Sequence, residues 1–247
     1  MSGSKNTFHV EIIVKSRPDH FMQTNQPHAD PDLQRIYAQR FSANLEYRKS
    51  VWRILVGDFF QNLIPKNSAI LDLGCGYGEF INQVEASRKF GMDLNPDSPQ
   101  FLASEVQFLA QDCSQPWQIE NSSLDVVFTS NFFEHLPDKA ALGRTLDEIR
   151  RCLKSGGRLV AMGPNIKCTG GAYWDFWDHY LPLTEQSLGE ALENRGFQIK
   201  KRIPSFLPYT MAGKKPVSSL LIKAYLRLPI FWKHFGKQFL VVADKTV

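Results

Sequence analysis

The sequence predicts an α/β fold in which helices cover both faces of a doubly wound sheet of seven strands. Short continuous apolar runs alternate with longer helical stretches, which is typical of parallel strands buried on both faces. A glycine-rich loop follows the first of these runs. The length of 247 residues and the hydrophobic content of 43% suit one catalytic-sized domain with added elements.

The elements follow in order along the chain. Residues 1–31 are polar and contain three prolines, which predicts a loosely docked N-terminal arm. Residues 32–247 are predicted to form the domain, beginning with a helical cover over residues 32–64 that ends before Pro65. Thr184 and Gly196 mark the start and stop of a later helix. The seven apolar runs that predict strands are AILDL, KFGMDL, VQFLA, LDVVFTS, GRLVAMG, FQIKKRI and QFLVVA.

Composition argues against several classes of protein. No stretch has the ~18 uninterrupted apolar residues of a membrane-spanning helix, and the N-terminus lacks the apolar core of a signal peptide. The four cysteines are dispersed without a CxxC pair, so neither a zinc site nor a disulfide framework is indicated. We therefore expect a reduced, cytoplasmic protein that holds no metal.

Charge is distributed unevenly. The net charge is +4, but the stretch from Arg195 to Val247 contains eleven Lys or Arg residues and one acid. The rest of the chain therefore carries a net negative charge. A basic bias this local predicts an anionic partner near the C-terminus.

The glycine loop reads GCGYGE from Gly74 to Glu79, after a predicted strand and before a predicted helix. Glycines allow positive φ angles and a close approach of the backbone to a ligand, and a helix N-terminus offers free N–H groups. A dinucleotide fingerprint needs a further glycine at the position of Glu79, counted from Gly74, or of Ile81, counted from Gly76. An NAD(P)-dependent oxidoreductase is therefore disfavoured.

The stretch DLGCGYG resembles the first motif of class I S-adenosylmethionine-dependent methyltransferases, in which an acid stands two residues before a GxGxG loop. The resemblance extends over residues 68–197. It implies a Rossmann-like methyltransferase sheet, an enzyme that transfers methyl groups, and S-adenosyl-L-methionine as the cofactor. The further matching segments, in order, are FGMDLN, LAQDCSQPW, LDVVFTSNFFEHLPD and EIRRCLKSGGRLVAMGPN.

The resemblance also assigns residues to the cofactor. Asp93 matches the acid that binds the ribose hydroxyls, Asp112 matches the acid near the adenine amino group, and Asn131 matches a position beside the methionine part. Simpler roles are an N-cap for Asp93 and turn chemistry for Asp112. The complete predicted set is Asp72, Gly74, Cys75, Gly76, Gly78, Asp93, Leu94, Asp112, Cys113 and Asn131.

Catalytic groups are expected after the fourth and fifth strands, because ligands bind beyond the carboxyl ends of such strands. His179, beside Asp178 in an aromatic loop, is the leading candidate base, since histidine can accept a proton near neutral pH. An alternative is that this loop packs on the sheet and His179 caps the helix at Thr184. His135 is the second candidate, although relatives with EHL here more often use it structurally.

Residues 204–237 are predicted to form a helical insertion where the family usually has a hairpin between the last two strands. A helical stripe of apolar residues lies among basic and aromatic ones, which suits a membrane interface. The alternative is packing on the chain's own domain or on a twin subunit in a homodimer. No nucleic acid is expected as a partner, because no nucleic-acid-binding module accompanies the basic residues. The stripe consists of Leu220, Leu221, Ala224, Tyr225 and Leu228.

Together these features predict methyl transfer to a small-molecule or lipid-linked saccharide acceptor, at oxygen in preference to nitrogen or carbon. The protein is expected in the cytoplasm, with residues 204–237 at the inner face of the membrane as one possibility. The alternative function is a catalytically silent module that binds S-adenosylmethionine or S-adenosylhomocysteine at a membrane surface or in an assembly.

Overall fold

The computed structural model describes residues 45–209 and 216–246. The predicted arm at residues 1–31, residues 32–44 of the predicted cover and residues 210–215 of the predicted insertion lie outside the described residues. None of the helices in the described ranges is long and apolar enough to cross a membrane.

Seven strands form one sheet in the described part of the chain, in the order β3-β2-β1-β4-β5-β7-β6. Strand β7 runs antiparallel to both of its neighbours. Each predicted run forms a strand, so the prediction of a seven-stranded doubly wound sheet is confirmed. The strands are β1 (Ala69–Leu73), β2 (Arg88–Met92), β3 (Val106–Leu109), β4 (Leu124–Ser130), β5 (Leu153–Pro164), β6 (Phe197–Ile203) and β7 (Gln238–Lys245).

The predicted helix signals act as expected. The Thr184 hydroxyl accepts a hydrogen bond from the Ser187 N–H at 3.0 Å and caps the helix that follows, and Gly196 adopts φ +73° after its end. The helices of the described residues are α1 (Leu45–Asp58), α2 (Lys139–Cys152), the single turn α3 (Ile166–Thr169), α4 (Glu185–Glu193), α5 (Ser219–Arg227) and α6 (Pro229–Phe235).

Apolar side chains cover both faces of the sheet. On one face, α2 and α4 pack against strand residues that include Leu71 and Val127. On the other face, α1 and the insertion pack against residues that include Ile70 and Val126. Because successive strand residues point to opposite faces, a strand buried on both sides needs a continuous apolar run.

The prediction of a helix directly after the glycine loop is wrong. Residues 79–84 form turns, in which the Asn82 N–H donates to the Gly78 carbonyl at 3.0 Å and the Gln83 N–H to the Phe80 carbonyl at 2.9 Å. The Asn82 side chain bonds instead to the backbone of Phe101 and Ala103. The connections from β2 to β3 and from β3 to β4 also lack α-helices, so helices alternate with strands only in the second half of the chain.

The insertion leaves and rejoins the sheet at the carboxyl ends of the parallel strands. Gln238, the first residue of β7, pairs with Pro164, the last residue of β5. Asn165 ties both ends of the insertion together, because its side-chain amide donates to the Pro204 carbonyl and its backbone N–H donates to the Lys237 carbonyl, each at 2.9 Å. The insertion therefore stands at the edge of the sheet where ligands bind in this class of fold.

Part of the apolar stripe predicted for the insertion packs on the domain and part of it is exposed. Leu226 is buried and Tyr225 half-buried, whereas Leu220 and Leu221 are 77% and 62% exposed. Contacts within the insertion fix this orientation: the Tyr225 hydroxyl donates to the Phe206 carbonyl at 2.7 Å. Three of the five predicted stripe residues are thus exposed, namely Leu220, Leu221 and Leu228.

Candidate active site

A cleft opens at the carboxyl ends of β1 and β4, where the winding direction of the sheet reverses and where ligands bind in open α/β sheets. Five predicted cofactor residues are in its wall, namely Asp72, Gly74, Cys75, Gly76 and Asn131.

The loop from Gly74 to Gly78 requires its glycines. Gly74, Gly76 and Gly78 have φ angles of +74°, +50° and +72°, which side chains rarely adopt. A Cβ atom at Gly74 would lie 2.3 Å from the ring of Phe132, and one at Gly78 would lie 2.6 Å from Leu102. The loop is therefore a closely packed cradle that brings backbone atoms to the wall of the cleft.

Asp93, directly after β2, holds this loop in place. One carboxylate oxygen accepts a hydrogen bond from the Gly76 N–H and the other from the Asn95 N–H, both at 2.8 Å. Each oxygen keeps a further lone pair that can accept from a ligand hydroxyl. Burial raises the pKa of Asp93, although these backbone bonds oppose the shift. Asp93 does not act as a helix N-cap, because the next helical turn, Ser98–Gln100, has Asp97 at its N-cap. The turn that Asp93 forms with Asn95 is compatible with the predicted ligand role.

Acidic groups surround the loop. Asp72 is buried beneath it, and burial, followed by the charges of Asp93 and Glu79, raises the pKa of Asp72 well above its ordinary value. Glu79 forms an ion pair with Arg48 of α1 at 2.6 Å, and both line the cleft. These carboxylates suit a ligand that carries positively charged groups. Sequence reasoning missed Arg48, because helical periodicity alone did not show which side of α1 faces the loop.

Five of the ten predicted cofactor residues do not line the cleft: Gly78 and Asp93, described above, and also Leu94, Asp112 and Cys113. The Asp112 carboxylate accepts from the Ser114 N–H at 2.8 Å, as in an ordinary turn. Cys113 is buried with its carbonyl bonded to the Trp117 indole at 2.8 Å, and Leu94 is 38% exposed. The assignment of these last three residues to adenine and ribose therefore stays a prediction.

Asn131 ends β4 in an unusual conformation. Its φ angle is +50°, and its N–H donates to the Met162 carbonyl at 2.9 Å. Non-glycine residues with positive φ are uncommon and concentrate at functional sites. The bend brings the next residue, Phe132, over Gly74 and thereby joins the loop after β4 to the glycine loop.

The structure brings the two predicted catalytic histidines together. His135 follows β4, His179 lies in the loop after β5, and their ring centroids are 5.0 Å apart. The Asp178 carboxylate, which is adjacent to His179 in sequence, lies 3.2 Å from Nδ1 of His135. His179 does not cap α4, since Nδ1 of His179 bonds to the Tyr173 carbonyl at 3.0 Å.

Glu134 is a third member of this group that sequence reasoning missed. One nitrogen of each histidine and one carboxylate oxygen of Glu134 lie within 4.8 Å of one another. Burial raises the pKa of Glu134 to about 7. Burial alone would lower the pKa of His135, but hydrogen bonding to Asp178 and the charge of Glu134 raise it overall. The sequence signal for Glu134 is the EHL motif, in which the acid stands directly before His135.

Hydrogen bonds set the protonation of both rings. Nδ1 of His135 lies 2.8 Å from the Asp178 carbonyl, and Nδ1 of His179 lies 3.0 Å from the Tyr173 carbonyl. A carbonyl can only accept, so each Nδ1 carries the hydrogen. In the neutral rings Nε2 then holds the lone pair. In this tautomer, Nε2 is the ring nitrogen that can accept a proton or bind a metal ion.

Comparison with known proteins identifies the family. The sequence profile of a methyltransferase domain family matches residues 44–201, more than half of the chain. The 2-methyl-6-phytyl-1,4-hydroquinone methyltransferase of Synechocystis is 25% identical over 135 residues, which are 51% of this chain and 41% of that protein. The chain thus spans less than half the length of this curated relative.

Solved structures show the same fold. A SAM-dependent methyltransferase from Archaeoglobus fulgidus matches with a TM-score of 0.57 and 23% identity, covering 78% of this chain and 94% of that one. An S-adenosylmethionine-dependent methyltransferase from Mesorhizobium loti matches with a TM-score of 0.54 and 17% identity, covering 75% and 95%. With the profile match, the glycine cradle and the acids around it, the chain belongs to the class I S-adenosylmethionine-dependent methyltransferases.

Proposed function

We propose that the protein transfers a methyl group from S-adenosylmethionine to a hydroxyl group of an amphiphilic acceptor at a membrane surface. A small molecule or a lipid-linked saccharide would fit this description. The observation that carries the proposal is that an exposed apolar and basic surface stands at the same edge of the sheet as the cofactor cleft.

This surface, which we name the insertion surface, consists of exposed residues of α5 and α6 and the residues beside them. Its apolar members are 40–77% exposed, and residues 216–237 contain four Lys or Arg residues and no acid. Apolar groups beside basic ones suit an anionic bilayer surface. The apolar members are Leu220, Leu221, Leu228, Ile230, Phe231 and Phe235, and the basic members are Lys223, Arg227, Lys233 and Lys237.

The insertion also packs against the wall of the cleft. Helix α5 contacts α1, and the Val217 N–H donates to the Tyr47 hydroxyl of α1 at 2.8 Å. Arg48 and Trp52 of the same helix line the cleft. A molecule that partitions into a membrane bound by the insertion surface would therefore be concentrated near the site of methyl transfer.

The name of the Synechocystis relative supports an amphiphilic acceptor. It names a hydroquinone that carries a phytyl group, and a phytyl group is a long apolar chain. We carry over only this general property to the acceptor of the present chain. The choice of oxygen as the methylated atom rests on the candidate bases in the loops after β4 and β5, since a hydroxyl must lose its proton during transfer.

The roles we propose follow the position of each residue. Asp72, Gly74, Cys75, Gly76, Gly78 and Asn131 would hold the methionine part of the cofactor, Asp93 and Leu94 the ribose, and Asp112 and Cys113 the adenine. When bound, the cofactor supplies the methyl group and leaves as S-adenosylhomocysteine. Nε2 of His179 accepts the proton of the acceptor hydroxyl, and the charge of Glu134 stabilises the imidazolium that forms. His135, held by Asp178, orients this group or replaces His179 as the base.

Replacing Asp93 by alanine should weaken the binding of S-adenosylhomocysteine by about 1.5–3 kcal/mol, or roughly 10- to 150-fold, because charged hydrogen bonds are lost. Calorimetric titration measures the change. The control is Glu105→Ala, which removes an exposed acid after β2 that is far from the loop in sequence. An unchanged dissociation constant in the Asp93 variant would contradict the proposed ribose site.

Replacing Phe231 and Phe235 by serine should reduce co-sedimentation of the protein with anionic liposomes, because both aromatic rings belong to the insertion surface. Binding of the wild type should fall as salt rises, since exposed charges are screened. The matched control replaces Trp174 and Trp177 by serine, because both are exposed aromatic residues outside the insertion. Absence of wild-type binding at low salt, with a dimer seen by analytical ultracentrifugation, would favour a twin subunit instead.

The activity itself is tested in two steps. Calorimetry should show that S-adenosylhomocysteine binds and that NADH does not. Incubation with methyl-labelled S-adenosylmethionine and membrane lipid extracts should then label a hydroxyl-bearing lipid or small molecule. Binding without labelling of any acceptor class would favour the catalytically silent module.

A further inference from the structure

The cluster of Glu134, His135 and His179 has a feature that methyl transfer does not require. Glu134 is 3% exposed, and one nitrogen of each histidine lies within 4.8 Å of its carboxylate. Burying a carboxylate is costly unless a positive charge or hydrogen-bond donors compensate it. The counterparts of Glu134 in the cluster are two imidazole rings whose Nε2 atoms carry lone pairs. Two histidines and one carboxylate form a common donor set for divalent transition metals.

We infer that Glu134, His135 and His179 form a binding site for one divalent transition-metal ion such as Zn²⁺. The three donor atoms lie within 4.8 Å of one another. Bond lengths of about 2.0–2.2 Å would require separations of about 3.4 Å in a tetrahedral site, so small side-chain rotations suffice. His135 is partly exposed, with 29% of its side chain accessible, which leaves an entry path for the ion.

The surroundings of the cluster match those of metal sites. Histidines that bind metals almost always donate their other ring N–H to a carboxylate or a backbone carbonyl, which orients the ring. Both rings do so here, and His135 also faces the Asp178 carboxylate at 3.2 Å. With Glu134 and Asp178 ionised, a divalent ion would make the group electrically neutral. The buried Tyr173 hydroxyl, which has no hydrogen-bond partner, lies in the same region and could bond to a water on the ion.

The cysteine spacing indicated no metal, and it could not reveal this site, because the donors come from two loops some 44 positions apart in sequence. In the metal-bound form the Nε2 lone pairs are engaged. The ion would then activate an acceptor hydroxyl by lowering its pKa, in place of the imidazole. The inference itself concerns binding alone and does not depend on the acceptor proposed above.

The test uses the full chain without an affinity tag, freed of metal by a chelator, and titrated with Co²⁺ and Zn²⁺. Calorimetry should show one equivalent, and the Co²⁺ form should show visible absorption bands of a four- or five-coordinate site. Glu134→Gln should weaken binding by at least 100-fold, and Asp178→Asn by about 10- to 100-fold. His234→Ala, at an exposed histidine of α6, should bind as the wild type does.

Circular dichroism and S-adenosylhomocysteine affinity check that each variant is folded, and Glu134→Gln keeps the shape of the side chain. No stoichiometric binding in the wild type would overturn the inference. Equal affinity in Glu134→Gln would do the same. A near-ultraviolet charge-transfer band from thiolate to cobalt would assign the ion to a cysteine and also refute the inference. None of these results bears on whether the protein transfers methyl groups.

Discussion

Replacing Gly74 by alanine should abolish cofactor binding and lower the free energy of unfolding by about 2–5 kcal/mol. An alanine at φ +74° costs about 1–2 kcal/mol. Its Cβ would also lie 2.3 Å from the Phe132 ring, and overpacking of this kind costs about 1–3 kcal/mol. Relieving the contact must move the loop or Phe132, and both border the cleft. Chemical denaturation and calorimetric titration with S-adenosylhomocysteine measure the two effects.

Two further variants separate the cost of the positive φ angle from the cost of the clash with Phe132. Gly57→Ala is the control, because a Cβ there meets no atom within 4 Å, and alanine in α1 should be neutral or stabilising by up to about 1 kcal/mol. Adding Phe132→Ala to Gly74→Ala should restore part of the stability, since it removes the contact but leaves the unfavourable φ. Wild-type affinity in the single variant would show that the cofactor does not use this loop.

Replacing His179 by glutamine should lower kcat for methyl transfer by about 10²- to 10⁴-fold, the usual contribution of a general base. The dissociation constant of S-adenosylhomocysteine should change less than about threefold, because His179 lies outside the wall of the cleft. Glutamine is preferred to alanine here, since His179 is buried against Phe176 and Tyr173. The assay is initial-rate transfer of labelled methyl groups to the identified acceptor.

The exposed residue His234 of α6 supplies the control as His234→Ala. Loss of a base should also flatten the acidic side of the pH–rate profile, which a merely structural defect would leave in place. A rate within threefold of the wild type would exclude His179 and direct attention to His135. A rate loss together with loss of metal binding would indicate that His179 acts through the ion.

The strands were predictable from sequence because burial on both faces demands continuous apolar runs, and these are visible without any tertiary information. The caps at Thr184 and Gly196 were predictable for a similar reason, since each acts within a few residues. The helix after the glycine loop was not, because Asn82 uses its side chain to bond to residues about twenty positions later. Long-range bonds of this kind leave no local pattern.

In the candidate site too, residues in short sequence motifs were predictable, whereas contacts between distant segments were not. The glycines form one short motif after β1 and Asp93 belongs to another after β2, so each could be recognised by itself, and the structure brings them together. The contact between His135 and Asp178 joins two loops separated by the whole of α2 and β5, so only the fold could show it. Glu134 could not be recognised from the sequence, because an acid beside a histidine is common and its burial depends on the fold. The outward direction of Leu220 and Leu221 depended likewise on how α5 meets α1.

The hydrogen bonds of Asn165 can couple membrane docking of the insertion to acceptor binding at the histidine-bearing loop. Its side chain also donates to Glu185 at the start of α4 at 2.6 Å, and its backbone pairs with Leu183 in the histidine-bearing loop. One buried amide therefore bonds to the insertion and to the segment that follows His179. If docking on a bilayer favours one arrangement of this joint, acceptor binding that favours the same arrangement must tighten docking by an equal factor, because thermodynamic linkage is reciprocal. Bound acceptor would then strengthen the binding of the enzyme to the membrane. A methylated product that fits the site less well would weaken that binding and favour dissociation of the enzyme from the membrane.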